Sequence, residues 1–237
     1  LVALFAIVIF DVSASPYPSF TEEIPDFYKE IKNDKADFNI LEMPIGSEHT
    51  NSQNSIPKIA YYQTFHEKPI FGGHESRPTL NELEQTDTYF LKNFQRFEND
   101  SDIIKQDLSE YGISIMNYFN IKYAILHKDQ PVSKLDSTTE HISIGEEWIK
   151  NKESIMSKIL NTDKVYFEDS RISVWKIPQS TETKPFIILG EGWRWFDHEI
   201  QGRPMLSESY IEILNPEKSK IKFSILLELI AYKQNRN

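Results

Sequence analysis

The chain contains no cysteine, no run of apolar residues longer than ten, and too little positive charge to balance its acids. Without cysteine, disulfides, thiolate nucleophiles and cysteine-ligated zinc are excluded, and the redox compartment stays open. Lys and Arg number 26 against 36 Asp and Glu, a net charge of −10 at pH 7. A nucleic-acid surface needs a basic stripe, and anionic lipid headgroups attract basic clusters, so this balance argues against both partners. Several signatures are missing as well: a Gly-x-Ser-x-Gly elbow, His-Glu-x-x-His, an EF-hand loop, a P-loop and GxGxxG. What is present is 237 residues with 39% hydrophobic and 13% aromatic content, enough for one large domain or two small ones with a substantial core.

The ten-residue apolar run is Leu1 to Phe10. As helix it rises about 15 Å, roughly half of a bilayer core of about 30 Å. It reads as the end of a transmembrane helix, or else as the apolar core of a signal peptide cleaved after Val12-Ser13-Ala14. The first reading is favoured, since the second lacks its basic leader. Both place the following residues outside the cytoplasm, and the sequon Asn99-Asp100-Ser101 is compatible with that side.

Residues 20–178 read as an α/β domain, a mixed sheet with flanking helices. Thr21 is the expected cap of a helix running to about Asn33, with acids in its first turn. Asp37 to Met43 reads as a strand ended by Pro44, with Phe38, Ile40 and Glu42 on one side and Leu41 and Met43 on the other. Pro57 suits the start of a helix on which Ile59, Tyr62 and His66 share a face, and Pro69 ends it. A long amphipathic helix is expected from Thr79 to Phe97. A further helix capped by Ser101 is expected to close at Gly112, followed by a short apolar helix from Ile113 to Phe119. Ile121 to His127 is the clearest strand. Ile144 to Leu160 reads as helix, and Val165 to Phe167 with Ile172 to Ile177 as a hairpin turned at Glu168-Asp169-Ser170. Helices alternating with strands imply that part of the sheet is parallel.

Beyond the Ser/Thr/Glu/Pro stretch at 178–184 the pattern changes to short strands: Phe186 to Leu189, Trp193 to Phe196, Tyr210 to Leu214 and Lys220 to Leu227. Residues 185–237 therefore read as an incomplete β-sandwich. Trp193, Arg194, Trp195 and Phe196 suit either sugar stacking or the two faces of a strand.

The densest polar segment is Tyr61 to Arg77, which passes from helix through Pro69 into a loop with Gly72-Gly73. Its candidate ligand-binding residues are Tyr62, Gln63, His66, Lys68, Gly72, Gly73, His74 and Arg77. The eight-residue spacing of His66 and His74 matches no standard zinc pattern, so no metal and no cofactor is expected. Gly72-Gly73 lacks the spacing of a phosphate loop and reads as a turn, although Lys68 and Arg77 could meet an anion. The 36 acidic residues offer many carboxylate pairs, none distinguished as a glycosidase pair by sequence alone.

Four stretches together resemble the C-terminal extracytoplasmic region of multi-spanning membrane glycosyltransferases of the GT-C type. They are Pro16-Tyr17-Pro18 with the helix carrying Tyr28; Ile40-Leu41-Glu42-Met43-Pro44-Ile45-Gly46; Tyr61 to Arg77; and Asn120 to Lys128. A β-sandwich after Leu189-Gly190-Glu191-Gly192-Trp193 fits the same pattern. The resemblance implies sugar transfer from a polyprenyl-phosphate carrier at the outer face of a membrane. In that family the catalytic acids lie in an early loop of the transmembrane part, so no catalytic residue carries over to this chain. The region would be a non-catalytic accessory domain whose partners are its own transmembrane part and a polyprenyl-phosphate sugar or glycan. The alternative is a secreted or membrane-anchored carbohydrate- or surface-binding protein.

Overall fold

The computed structural model describes residues 23–45, 56–71, 89–94, 103–104, 106–129, 131–132, 142–143, 146–180, 183–190, 192–193, 202–215, 220 and 222. The apolar run 1–10, Thr21, Asn99, Ser101, Trp195 and Phe196 lie outside the described residues. No helix among the described residues is long and apolar enough to cross a membrane.

The centre is a five-stranded mixed sheet. Its strands are β1 (Asn39–Met43), β2 (Ile70–Phe71), β3 (Ile121–His127), β6 (Phe167–Glu168) and β7 (Ile172–Lys176), in the order β2-β1-β3-β7-β6. β1 runs parallel to both β2 and β3, while β3–β7 and β7–β6 are antiparallel. The expected combination of parallel strands and a hairpin is therefore present. Two further two-stranded pieces occur among the described residues: β4 (Pro131–Val132) with β5 (Ile142–Ser143), and β8 (Phe186–Leu189) with β9 (Ile211–Leu214). The helices are α1 (Phe27–Asn33), α2 (Ile56–His66), α3 (Tyr89–Lys92), α4 (Leu108–Tyr118) and α5 (Glu146–Leu160).

Strand alternation sorts the core into two layers. Leu41, Met43, Ala124, Leu126 and Trp175 pack on one face with Phe90, Ile115, Met116, Met156 and Ile159 from α3, α4 and α5. Ile40, Tyr123, Ile125, Ile172 and Val174 pack on the other face with Phe27, Tyr28 and Ile31 of α1 and Tyr62 of α2. Burying each Val, Leu, Ile, Phe or Met side chain among these contributes roughly 1.5–3 kcal/mol, so both faces are substantially stabilised. α1 ends at Asn33 as its pattern requires, but begins at Phe27, with Asp26 rather than Thr21 at its N-cap. Asp26 makes no capping bond, because its carboxylate holds Lys29 at 2.6 Å instead.

The segment from 103 to 119 departs from expectation. Asp107 caps α4 by accepting the Ser109 amide at 2.9 Å, and the helix passes through Gly112 to Tyr118 without a break. Gly112 does not end the helix; it faces α5 so closely that a Cβ would lie 2.8 Å from Ile159 Cγ1. Ile103 is exposed. Of the helix expected from Thr79 to Phe97, residues 79–88 and 95–97 lie outside the described residues; Tyr89–Lys92 is helical, and Asn93 and Phe94 turn. The Phe94 carbonyl is taken by the Ile45 amide at 2.9 Å, which ties the end of β1 to this turn. The hairpin turn is shaped by Asp169, whose Oδ1 accepts the Arg171 and Ile172 amides at 2.7 and 2.8 Å, an Asx-turn arrangement.

The β8–β9 ribbon packs on α4. Phe186 is buried in the main core and meets the Tyr118 ring edge-on at 5.5 Å. Gln106 closes the free side of β8 with its carboxamide, donating Nε2 to the Ile187 carbonyl at 2.6 Å and accepting the Ile187 amide on Oε1 at 3.0 Å. Gly192, at φ 96, crosses over the segment before β9, where an added Cβ would sit 2.1 Å from the Glu208 carbonyl oxygen.

Candidate functional site

Ligand crevices of open α/β sheets form outside the carboxyl ends of parallel strands. β1 and β3 are the central parallel pair, with Glu42 beside Ile125 and Met43 beside Leu126 in register. On the face covered by α1 and α2, alternation places Glu42 near the end of β1 and His127 at the end of β3. Both are only 1% exposed.

These two meet directly, His127 Nε2 lying 2.6 Å from Glu42 Oε2. Tyr28 comes down from α1 and donates its hydroxyl to the same carboxylate, 3.0 Å from Oε1 and 3.1 Å from Oε2, with His127 Nε2 at 3.3 Å. A carboxylate accepts and does not donate, so the short contact assigns a proton to His127 Nε2. The rings form a ladder. His66 stacks on Tyr28 at 5.5 Å, Tyr28 on Tyr62 at 4.8 Å, and Tyr62 on His127 at 5.8 Å. Interplanar angles of 11°, 30° and 11° keep the rings close to parallel along the ladder. α2 supplies two of the rings because Ile59, Tyr62 and His66 fall on one face, as their spacing requires, and all three are buried.

The electrostatics follow from burial. Loss of water pushes the Tyr28 phenol well above its ordinary value, and the adjacent Glu42 carboxylate adds to this by charge and by hydrogen bonding. His66 is pushed down, first by burial and then by the Lys68 ammonium, with Glu42 opposing. Its Nδ1 accepts the Lys68 amide at 3.0 Å, so the neutral ring carries its proton on Nε2. His66 Nε2 and His127 Nδ1 are both buried without a hydrogen-bond partner among the described residues.

Carboxylate, imidazole and phenol in contact are the parts of an acid–base relay. Here Tyr28, Glu42, Tyr62, His66 and His127 are each 2% exposed or less, so in this conformation they lock the helices to the sheet and offer no atom to a ligand. Among the described residues no group of three or more His, Asp or Glu is placed to hold a metal ion.

Of the eight residues singled out by sequence, Gly72, Gly73, His74 and Arg77 lie outside the described residues. Tyr62 and His66 turn inward into the ladder. Gln63 and Lys68 are half-buried, and Gln63 Nε2 reaches the Lys68 carbonyl at 3.5 Å. Lys68 Nζ donates to the Ala36 carbonyl at 2.7 Å and lies over the Phe38 ring at 4.7 Å, fastening the start of β2 to the α1–β1 loop. Trp193, weighed as a sugar-stacking ring, is buried and donates Nε1 to the Tyr210 carbonyl at 2.8 Å. Sequence reading passed over Tyr28, Glu42 and His127 as a set. Their one visible signal was a charged residue in inward register within an apolar strand, with a histidine closing another.

Comparison with protein-family models, with curated proteins and with solved structures returned no match to this chain.

Proposed function

We propose that this chain is a non-catalytic extracytoplasmic domain of a membrane glycosyltransferase of the GT-C type, one that uses a polyprenyl-phosphate-linked sugar donor. In this reading residues 1–12 end a transmembrane helix, and residues 185–237, which include the β8–β9 ribbon, belong to an incomplete β-sandwich.

One observation carries the reading. Each of the four stretches on which the resemblance rests delivers a residue to the same buried cluster: Tyr28, Glu42, Tyr62 with His66, and His127. Motifs scattered along the chain thus converge in space, which is what a shared architectural requirement produces. The inward direction of these groups suits an accessory role. Their chemistry holds α2 and β2 against the sheet, which is a structural role and not a catalytic one.

The test uses the full-length gene product in membrane vesicles supplied with radiolabelled polyprenyl-phosphate-hexose. The expected result is alkali-resistant membrane association, label transfer by the full-length product and none by residues 20–237 alone. Transfer by residues 20–237 alone would remove the non-catalytic assignment. A full-length product released from the membrane after a short basic leader would sink the glycosyltransferase reading in favour of a secreted surface-binding protein.

A further inference from the structure

We propose that His66 is the trigger of an acid-operated latch: a proton taken at Nδ1 turns an acceptor into a donor, expels the Lys68 amide, and frees the α2–β2 unit from the sheet. The latch follows from the buried cluster alone and does not depend on the glycosyltransferase reading.

His66 Nδ1 is already committed as the acceptor of the Lys68 amide at 3.0 Å, and Nε2 is buried. A second ring proton therefore displaces the hydrogen bond at Nδ1, while the proton already on Nε2 has no acceptor among the described residues. The groups facing the ring offer little relief. From α1 comes Tyr28, stacked on it at 5.5 Å. α2 contributes Tyr62, the next ring in the ladder. Glu42 of β1 attracts a proton to His66, but its carboxylate is already held by Tyr28 and by His127 of β3. Lys68, directly after the helix, repels one. Lys32 of α1 lies over the Phe65 ring, and the Lys58–Asp129 pair stands at the other end of α2 at 2.7 Å. An added charge is therefore buried beside one committed carboxylate and one ammonium.

The unit held by this contact is built to leave alone. β2 is a two-residue strand that pairs, among the described residues, with β1 alone. Among the described α2 side chains, Ile59, Tyr62 and His66 are the buried ones. Segments with few buried contacts open at a fraction of the global free energy. The Lys58–Asp129 pair is untouched by the proton and serves as the hinge, since it anchors the start of α2 to the loop after β3.

The sign is set by the lowered affinity of the folded ring for protons. The closed form is fully favoured above the ordinary histidine value of 6.5 and loses ground as pH falls below it toward the folded value. One proton taken up on opening makes the open population grow by up to about tenfold per pH unit in that window.

The experiment is amide hydrogen exchange on the whole chain at pH 7.5 and 5.5, corrected for the intrinsic pH dependence of exchange. In the wild type, protection of the Glu67 and Lys68 amides should fall by up to about tenfold relative to the β3 amides. In His66→Gln, which keeps a neutral acceptor, the ratio should stay flat. A wild-type ratio independent of pH, or the same fall in His66→Gln, overturns the latch. Should His66→Gln not fold, imidazole nitrogen NMR of the wild type decides the matter. A proton on Nε2 at pH 7.5 and loss of the Lys68 amide bond on titration are expected. A proton on Nδ1 at pH 7.5, or titration with the Lys68 bond intact, overturns it.

Discussion

Replacing Tyr28 by Phe removes one oxygen and keeps the ring, so it isolates the hydroxyl's contribution to the cluster. The ladder contacts with Tyr62 and His66 at 4.8 and 5.5 Å survive the change. What is lost is a donor placed 3.0 and 3.1 Å from the two oxygens of a buried carboxylate. Hydrogen bonds to charged groups contribute roughly 1.5–3 kcal/mol, and an orphaned buried acceptor carries its own desolvation penalty. Phe is easier to bury than Tyr, which offsets part of this. The expected loss is about 2 kcal/mol at pH 7 in urea unfolding followed by tryptophan fluorescence. A second reading comes from alkali. The folded phenol titrates well above the unfolded value of about 10, so its stability is complete below pH 10 and is lost as pH rises beyond it. Above pH 10 the gap between wild type and Tyr28→Phe should therefore close by up to about 1.4 kcal/mol per pH unit, whatever the lysines do in both proteins. A gap below about 0.5 kcal/mol at pH 7, or one that stays constant from pH 9 to 11, would refute the claim that the hydroxyl sustains a buried carboxylate.

Gly112→Ala should destabilise by up to about 2 kcal/mol in the same urea assay, since overpacking against Ile159 costs roughly 1–3 kcal/mol and better helix propensity returns about 1. Adding Ile159→Ala should then cost less than it does in the wild type, a coupling that a double-mutant cycle reads directly. Glu67 closes α2 at φ 62, so Glu67→Gly should be neutral to stabilising by about 1 kcal/mol, as relief of left-handed strain outweighs added chain freedom; a raised melting temperature is the check. Gln106→Leu should leave the Ile187 backbone unpaired. The expected signs are faster exchange of the Ile187 amide and concentration-dependent association in sedimentation, as β8 presents an open edge.

How far the fold could be read in advance depended on how local its causes are. β1, β3 and the β6–β7 hairpin follow from apolar runs and an Asp-centred turn, which act within a few residues. The buried face of α2 followed from Ile59, Tyr62 and His66 for the same reason. Gly112 misled because its reason is tertiary: a glycine that ends helices by propensity is here required by a neighbouring helix that local pattern does not reveal. The candidate site was half visible. The segment with Tyr62 and His66 stood out through polar density, but density suggested ligand contact, and burial shows those side chains serving the interior. Glu42 gave only its register. Its partners lie 14 and 85 residues away, and no spacing rule connects residues across such distances.

Those separations bear on kinetics as well. Tyr28 and His127 are 99 residues apart in the chain, and the cluster is satisfied only when α1, β1 and β3 are all in place. Closing loops of that length costs entropy before any hydrogen bond repays it, so the cluster belongs on the native side of the folding barrier. Interactions formed after the barrier slow unfolding and leave the folding rate nearly unchanged. Tyr28→Phe should thus steepen escape from the native state while refolding proceeds at its former pace. In that sense the carboxylate beneath α1 acts as a timer, setting how long the assembled domain persists once made.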